Sequence, residues 1–429
     1  MKFKNLLAYK MLKSNFNQFH KKFSENLPRS LERTISLLDE IGNPQNKIKN
    51  IIHIAGTNGK GSILSYIKSC LTMNNFKVNA FTSPHLIQIN ERILINNKIV
   101  EDKLLEKTID KLFQHSKDRK IAFFEFITCC AIFLFNQYKA DWNLFEVGMG
   151  GQFDATNILP KKDLAIITPI SYDHENFLGD DIVEITKEKI GITNSKIYTV
   201  LGKQPKNITD FILKNFLHNK ENRFVYGLDW TMTKKKESFY YEDNNSSIRI
   251  NNPFMIGEHQ KMNAALSIAS LRFLKKSNQI NLSKNIIEKG ILNTKWHGRL
   301  EKINCENNLS ELWIDSCHNP SGTKVIAHEM KKMNSEKQKK MNLIFSLKKG
   351  KKIRDFIIPF EGLFDEIKYI GINDNHYSFN EIKKNTIGVN INIKEIKEFD
   401  KKLILKDEHP SRILICGSVQ LVGNAISIF

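Results

Sequence analysis

Between His53 and Ser62 the chain reads His-Ile-Ala-Gly-Thr-Asn-Gly-Lys-Gly-Ser, three glycines set around one lysine. Glycine lets the backbone turn tightly and approach an anion closely. A lysine there reaches the β- and γ-phosphates of a nucleotide as a point charge. Such a loop needs a strand before it and a helix after it. The apolar run Ile51 to Ala55 predicts a short buried strand, and Ile63, Ile67 and Leu71 recur at helical spacing. Backbone N–H groups at the helix start, with the helix dipole behind them, favour a phosphate. Gly56, Thr57, Asn58, Gly59, Lys60, Gly61 and Ser62 are therefore candidate nucleotide contacts, with Lys60 catalytic. The general P-loop pattern is not fully met: Ile54 stands where it has glycine, and Gly61 precedes Ser62 where it has Ser or Thr directly after the lysine.

Three further predicted strands end in groups that could meet this loop. Val78 to Thr82 runs into Ser83-Pro84-His85-Leu86, Trp142 to Val147 carries Glu146 in apolar surroundings, and Leu164 to Thr168 leads to Asp173-His174. Ligands bind at the carboxyl ends of strands in open α/β sheets. A buried carboxylate needs a cation or a metal, and Mg²⁺ takes one or two carboxylates while sharing substrate phosphates. Each residue has a blander reading: Ser83 as a turn residue, Glu146 in a salt bridge, Asp173-His174 as a hydrogen-bonded core pair. Lys187 to Gly191 closes a polar helix whose lysines read as solvated surface, and Asn263 reads as the N-cap of an alanine-rich helix.

The elements that position these groups form an α/β chain. At 429 residues two or three domains are expected. The region before residue 50 reads as helical, with Leu31, Ile35, Leu37, Leu38 and Ile41 as its apolar face and Gly42 as its stop. Residues 121–138 read as a buried core helix, too short and too acidic at Glu125 to span a bilayer. Residues 230–252 read as a polar hairpin excursion. Trp296 to Leu300 reads as a domain junction, followed by strands at 312–315, 343–347, 366–370 and 413–416. The expected architecture is an N-terminal P-loop ATPase domain with a mainly parallel sheet (1–296) and a smaller Rossmann-like α/β domain (297–429).

The net charge of +19 raises the possibility of nucleic acid or an anionic membrane, but the lysines are spread along the chain with no recognition helix or stacking aromatic set. A diffuse positive field also suits ATP. The six cysteines form no CxxC pair and read as free thiols in a reducing cytoplasm. Residues 1–23 lack the continuous apolar core of a secretory signal. No nucleic-acid partner, no membrane association and a monomer are expected.

The form Gly-Thr-Asn-Gly-Lys-Gly-Ser resembles the phosphate loop of the Mur ligase superfamily, ATP-dependent amide ligases. Taken with Thr82 to Leu86, Asn90-Glu-Arg-Ile93, Phe124-Glu125, Glu146 to Asn157, Asp173-His174, Lys187 to Gly191, Gly257 to Ala264, Gly298-Arg299 and Asp315-Ser-Cys-His-Asn-Pro320, the ordered set resembles the folylpolyglutamate synthase/dihydrofolate synthase family over nearly the full length. The resemblance implies Ser83, Glu146 and His174 as magnesium ligands, and Asn263, Arg299 and Asp315 as nucleotide contacts. It implies that Lys189 is carboxylated by CO₂ on its amine, giving an oxygen ligand for a second Mg²⁺. A neutral amine is required for that, so burial or nearby positive charge should lower the lysine's pKa. Pro84, His85, Phe124, Glu125, Asp154 and Ala155 fall at the pteroate or folate site, and catalytic His318 falls on the glutamate side. Many members carry Asp-Lys-Asp where this chain has Lys348-Lys-Gly-Lys-Lys352.

The implied reaction uses the γ-phosphate of ATP to turn the carboxylate of dihydropteroate or a reduced folate into an acyl phosphate, which the amine of L-glutamate attacks. Lys60 and Mg²⁺ offset phosphoryl charge, the cleft closes against water, and Arg299 couples nucleotide binding to closure. The competing readings are a Mur ligase acting on a peptidoglycan precursor and a basic nucleotide-dependent nucleic-acid-binding protein.

Overall fold

The computed structural model describes residues 23, 27–116, 120–277, 279–305, 309–335, 339–405 and 409–429. Half of the N-terminal helical expectation, residues 1–22 and 24–26, lies outside the described residues. What is described is one helix, Glu32–Glu40, stopped at Gly42 in the left-handed region (φ 82°). It buries Leu37 and Leu38 with Thr34, whereas Ile35, expected on the same face, is exposed.

The first eight strands are β1 (Ile51–Ala55), β2 (Val78–Phe81), β3 (Ile93–Ile95), β4 (Lys98–Ile99), β5 (Trp142–Glu146), β6 (Leu164–Ile167), β7 (Tyr198–Leu201) and β8 (Arg223–Val225). They make one sheet in the order β4-β3-β2-β5-β1-β6-β7-β8, parallel except for the β2-β3-β4 edge. Every residue of β1, β2, β5 and β6 is buried. Helices cover both faces, so the strands read as unbroken apolar runs instead of alternating. The helices Lys60–Met73 and Glu258–Lys276 pack on one face with Ile52, Ile54 and Leu144, and the apolar helix Phe123–Gln137 packs on the other with Ile51, Phe81 and Phe145. The chain leaves β1 toward β2 on one side and later returns to β6 on the other. The carboxyl end of β1 is thus the switch point where an open sheet binds its ligand.

The segment expected as a polar hairpin is a three-stranded antiparallel meander, β9 (Trp230–Lys234), β10 (Ser238–Asp243) and β11 (Ser246–Asn251). It is no excursion. Trp230, Phe239, Tyr241 and Ile250 bury their side chains in the core of the helices Lys60–Met73 and Glu258–Lys276. Alternation hid this, because the outer residues of each strand are polar and half the positions are solvated.

After the turn at Gly298 (φ 70°) and Leu300 (φ 40°), a second sheet is built from β12 (Glu301–Ile303), β13 (Ser310–Ile314), β14 (Lys340–Phe345), β15 (Glu366–Tyr369), β16 (Ile393–Glu395) and β17 (Ser411–Cys416). Its order is β12-β13-β17-β14-β15-β16, parallel apart from β12. Helices again flank it, giving separate cores on its two faces. The α/β class with two mainly parallel sheets matches expectation. The carboxyl ends of β14 and β17 face those of the first sheet across a cleft. Leu86 seals one rim: a Cβ on Gly423 of the helix Val419–Ile428 would lie 1.9 Å from the Leu86 carbonyl oxygen. No described helix is long and apolar enough to cross a membrane.

Candidate active site

The loop after β1 is held in shape by its own glycines. Gly56 (φ 138°) lies against Thr168, where a Cβ would sit 2.0 Å from Oγ1, and Gly59 (φ 89°) lies against Asn263, where it would sit 2.6 Å from Oδ1. Only glycine satisfies both the backbone angle and the contact. Thr168 Oγ1 donates to the Asn58 carbonyl at 2.7 Å, and the Thr57 hydroxyl donates to Ser171 O at 2.9 Å. The helix Lys60–Met73 starts directly after Gly59, with Ser62 buried in its first turn. The Lys60 ammonium lies back over the loop, donating to Gly56 O and Thr57 O, both at 3.1 Å.

A second ammonium meets the same carbonyl. Lys189 Nζ donates to Gly56 O at 3.2 Å. Contrary to the solvated-surface reading, Lys189 keeps only 3% of its surface exposed, while Lys187 in the same helix is exposed. The cause is the glycine pair after β5. The end of the helix Ile182–Ile190 lies on Gly151, where a Cβ would be 2.5 Å from Glu188 O, and Gln152 N donates to that carbonyl at 2.8 Å. Burial first, and then the charge of Lys60, pull the Lys189 amine down to about 7. Burial likewise lowers Lys60, opposed by Glu146.

Glu146, at the end of β5, is buried and accepts from the backbone N–H of Ser83 at 3.1 Å, across the adjacent end of β2. Desolvation raises its pKa while Lys60 opposes the rise. Ser83 precedes a cis peptide to Pro84. His174 stands in the left-handed region (φ 55°), partly exposed on the cavity wall, and burial pushes its imidazole down to about 3. The buried Glu146 carboxylate and the adjacent Ser83 hydroxyl are oxygen donors of the kind Mg²⁺ takes when phosphate oxygens and water complete its shell, whereas the imidazole of His174 is an unusual ligand for it. Among the described residues no three His, Cys, Asp or Glu side chains are grouped to hold an ion by themselves.

From this edge a cavity of about 790 Å³ runs between the two sheets. Ser83, Pro84, His85, Phe124, Glu125, Asp154, Ala155, His174 and His318, all singled out in sequence, line it. The Phe124 ring presses on Gly148, where a Cβ would be 2.5 Å from Cζ. Asp154 is buried. Its Oδ2 accepts from Gly148 N and Met149 N at 3.0 Å, and its Oδ1 accepts from Thr156 N and Oγ1. Glu125 is clamped by Arg33, whose Nη2 donates to Oε1 at 2.6 Å and whose Nε donates to Oε2 at 2.9 Å. On the opposite wall His318 Nδ1 donates to Ser316 O at 2.9 Å, leaving Nε2 3.8 Å from Asp173.

The remaining expected nucleotide contacts divide. Asn263 touches Gly59 and donates to Gln260 Oε1 at 3.1 Å. It is not an N-cap, because the helix already starts at Glu258. Asp315 is buried, and its two oxygens accept from Leu300 N and Cys317 N, both at 2.7 Å, which fixes the strained turn at the junction. Burial raises its pKa, opposed by the neighbouring charge of Arg299.

Several residues of the site carry no role in the sequence reading. Asp173 is engaged from the facing unit by Lys351 Nζ at 2.5 Å and Asn319 Nδ2 at 3.0 Å. Asn319 also donates to Asn58 Oδ1 at 3.0 Å, tying the phosphate loop to the helix it caps, Pro320–Met333. Both stood inside quoted motifs beside His174 and His318, which was signal enough to name them. Arg29, Arg33, Arg92 and Lys348 line the cavity, and Trp296 covers Gly61. Arg92, Lys348 and Trp296 fall inside segments already quoted from the sequence, whereas Arg29 and Arg33 are placed by tertiary packing that no local spacing marks.

No family model matches the chain. A dihydrofolate synthase/folylpolyglutamate synthase of Bacillus subtilis is 31% identical over 360 residues, covering 79% of this chain and 80% of the relative. Among solved structures, E. coli FolC in complex with DHPP and ADP has a TM-score of 0.83 at 23% identity, covering 97% of each chain. The bifunctional folylpolyglutamate synthase/dihydrofolate synthase of Yersinia pestis, complexed with AMPPNP and Mn ion, also has a TM-score of 0.83, at 21% identity over 96% of this chain and 97% of that one. These two structures share the fold. With the identity to the Bacillus subtilis enzyme, the chain belongs to the dihydrofolate synthase/folylpolyglutamate synthase family.

Proposed function

We propose that the cleft couples ATP cleavage to amide formation, joining L-glutamate to dihydropteroate, to reduced folates, or to both. The observation that carries this reading is the meeting of Lys60 and Lys189 at one carbonyl, Gly56 O, with both ammonium groups within the field of Asp154, which lines the cavity together with Phe124. Relatives that bind ADP with DHPP, and AMPPNP with Mn ion, support nucleotide, pteroate-like and divalent-metal ligands.

A carboxylate is a poor acyl electrophile, and phosphorylation gives it a better leaving group. Lys60 is proposed to neutralise the γ-phosphate as it transfers. Asn263, Arg299 and Asp315 are proposed to bind the nucleotide. Glu146, Ser83 and His174 would hold Mg²⁺, and Lys189, carboxylated on its amine, would hold a second ion; bound metal supplies further charge neutralisation. With its pKa near 7 the Lys189 amine is substantially neutral at neutral pH, where an ordinary lysine would be neutral in fewer than about one molecule in a thousand. Phe124, Glu125, Asp154 and Ala155, with Pro84 and His85, are proposed to take the acceptor, and His318 to face the incoming amine. Water is excluded by closure of the two units, whose division we put near Trp296. Both walls come from one chain, so a monomer suffices. A cytoplasmic location is proposed on the six free thiols.

The test is product analysis after incubation with ATP, glutamate and either dihydropteroate or tetrahydrofolate. A product one glutamate longer, formed with ADP and phosphate, is expected for at least one acceptor. No glutamate incorporation with either one would refute the reading.

A further inference from the structure

His53 and Thr156 belong to the phosphate-loop strand and to the turn after Glu146, and neither lines the cavity. Both are fully buried. His53 Nε2 lies 2.7 Å from Thr156 Oγ1, and that hydroxyl lies 2.5 Å from Asp154 Oδ1. A carboxylate only accepts, so the Thr156 proton goes to Asp154. The hydroxyl oxygen is then the acceptor for His53, which fixes the imidazole proton on Nε2. Nδ1 is bare and has no partner among the described residues. Burial, and then the charge of Lys162, hold the ring neutral. One directed chain of hydrogen bonds thus runs from β1 through Thr156 to Asp154 on the cavity wall.

A buried imidazole with one unpaired nitrogen costs stability that an aliphatic side chain in its place would not. The compensation lies at the other end of the chain. Asp154 accepts two bonds on each oxygen, and Thr156 supplies its only side-chain donor among the described residues. Through Gly148 N and Met149 N the same carboxylate holds the turn on which the Phe124 ring rests. The far side of the turn is pinned separately: Asn157 Nδ2 donates to Gln152 O at 3.0 Å and to Gly191 O at 3.2 Å, and Lys162 Nζ donates to Ile192 O at 2.9 Å. A hydroxyl that receives one bond while giving another is polarised and held in one rotamer. Without it, Asp154 Oδ1 keeps a single backbone bond and the carboxylate can turn.

We propose that His53 and Thr156 are positioning residues for the acceptor: their two hydrogen bonds aim the Asp154 carboxylate and hold the wall from Gly148 to Ala155 in the shape that takes the acceptor. The proposal rests on the reading above that puts the acceptor against Asp154. His53 stands three residues before Gly56, so the strand that opens the phosphate loop is also the fixed point from which the acceptor is placed. A site is held to its productive geometry by such supporting bonds.

Thr156→Val keeps the side chain's size and removes the hydroxyl, whereas Thr156→Ser keeps the hydroxyl. Thr108→Val removes an equally buried hydroxyl, bonded to Leu104 O, away from the cavity. The KM for acceptor, ATP and glutamate, and kcat, are measured with each acceptor the wild type uses. In Thr156→Val the acceptor KM rises about tenfold or more, while the other two KM values and kcat stay within about threefold. Thr156→Ser recovers most of the loss, Thr108→Val changes little, and His53→Gln, which keeps a donor near the Nε2 position, is milder than His53→Leu. An unmoved acceptor KM in Thr156→Val, an equal rise in all three KM values, or the same shift in Thr108→Val overturns the proposal. Nitrogen-15 spectra of the wild-type chain labelled at histidine decide the case where a variant fails to fold. The His53 ring, assigned through its contact with Thr156, is expected as the neutral Nε2–H tautomer at neutral pH, with a signal that dihydropteroate moves. A proton on Nδ1, or a signal that dihydropteroate leaves in place, overturns the proposal. A wild-type chain that ligates no glutamate fails the ligase reading itself, whereas a ligating wild type with an unmoved acceptor KM in Thr156→Val fails this proposal alone.

Discussion

The phosphate loop and the Asp173–Lys351 contact lie on the same cleft but are built in opposite ways. The loop is seven consecutive residues, shaped by Gly56 and Gly59 against Thr168 and Asn263. The contact joins residues 178 positions apart and exists only where the two units meet. A contiguous loop carries its geometry with it, since strand, turn and helix dictate where the lysine stands. A junction carries none until both walls are folded and apposed. Damage to the loop should therefore abolish chemistry outright. Damage to the junction should weaken the coupling of chemistry to closure.

Lys60→Ala is the most severe break expected. It should lower turnover by about a thousandfold or more with an unchanged melting temperature, since the side chain is only half-buried. Near-normal turnover in the folded variant would remove the loop from the mechanism. Lys189→Arg should follow, with at least about a hundredfold loss, because guanidinium cannot form a carbamate. The same residue predicts a pH effect. Its amine is lowered to about 7, so wild-type activity in saturating bicarbonate should rise from pH 6 to pH 8 as the amine loses its proton. Wild-type rates in Lys189→Arg would show that positive charge alone suffices.

At the junction, Asp173→Asn removes the charge that Lys351 meets. It should lower glutamate incorporation about tenfold and raise phosphate release that yields no product. Equal losses of both would contradict a role in closure. The smallest effect is expected from Lys352→Met. Its partner Glu175 lies 2.6 Å away but Lys352 is largely exposed, and exposed pairs contribute about 1 kcal/mol or less. A change beyond about threefold in any kinetic constant would show that the exposed pair does more than its setting allows.

The same contrast governs what could be read from sequence. The strands of both sheets were legible because buried parallel strands are uninterrupted apolar runs, and the glycine loop because its pattern is local. Lys189 looked like a surface lysine, since nothing in Lys187 to Gly191 reveals that Gly150 and Gly151 lie beneath it. Asn263 looked like a cap because the preceding turn, Glu258 to Met262, is mostly polar, although Gln260 and Lys261 are in fact buried there. The meander reads as an excursion in sequence because its outward residues are polar. In each case the missing information was which face another segment covers.

The central claim is that the acceptor carboxylate is phosphorylated by ATP before glutamate attacks. Dihydropteroate or tetrahydrofolate labelled with oxygen-18 in the reacting carboxylate tests it directly, with mass analysis of the phosphate released during ligation. One labelled oxygen per phosphate is predicted, carried over when the acyl phosphate breaks. Phosphate free of label, with glutamate nonetheless incorporated, would contradict the account.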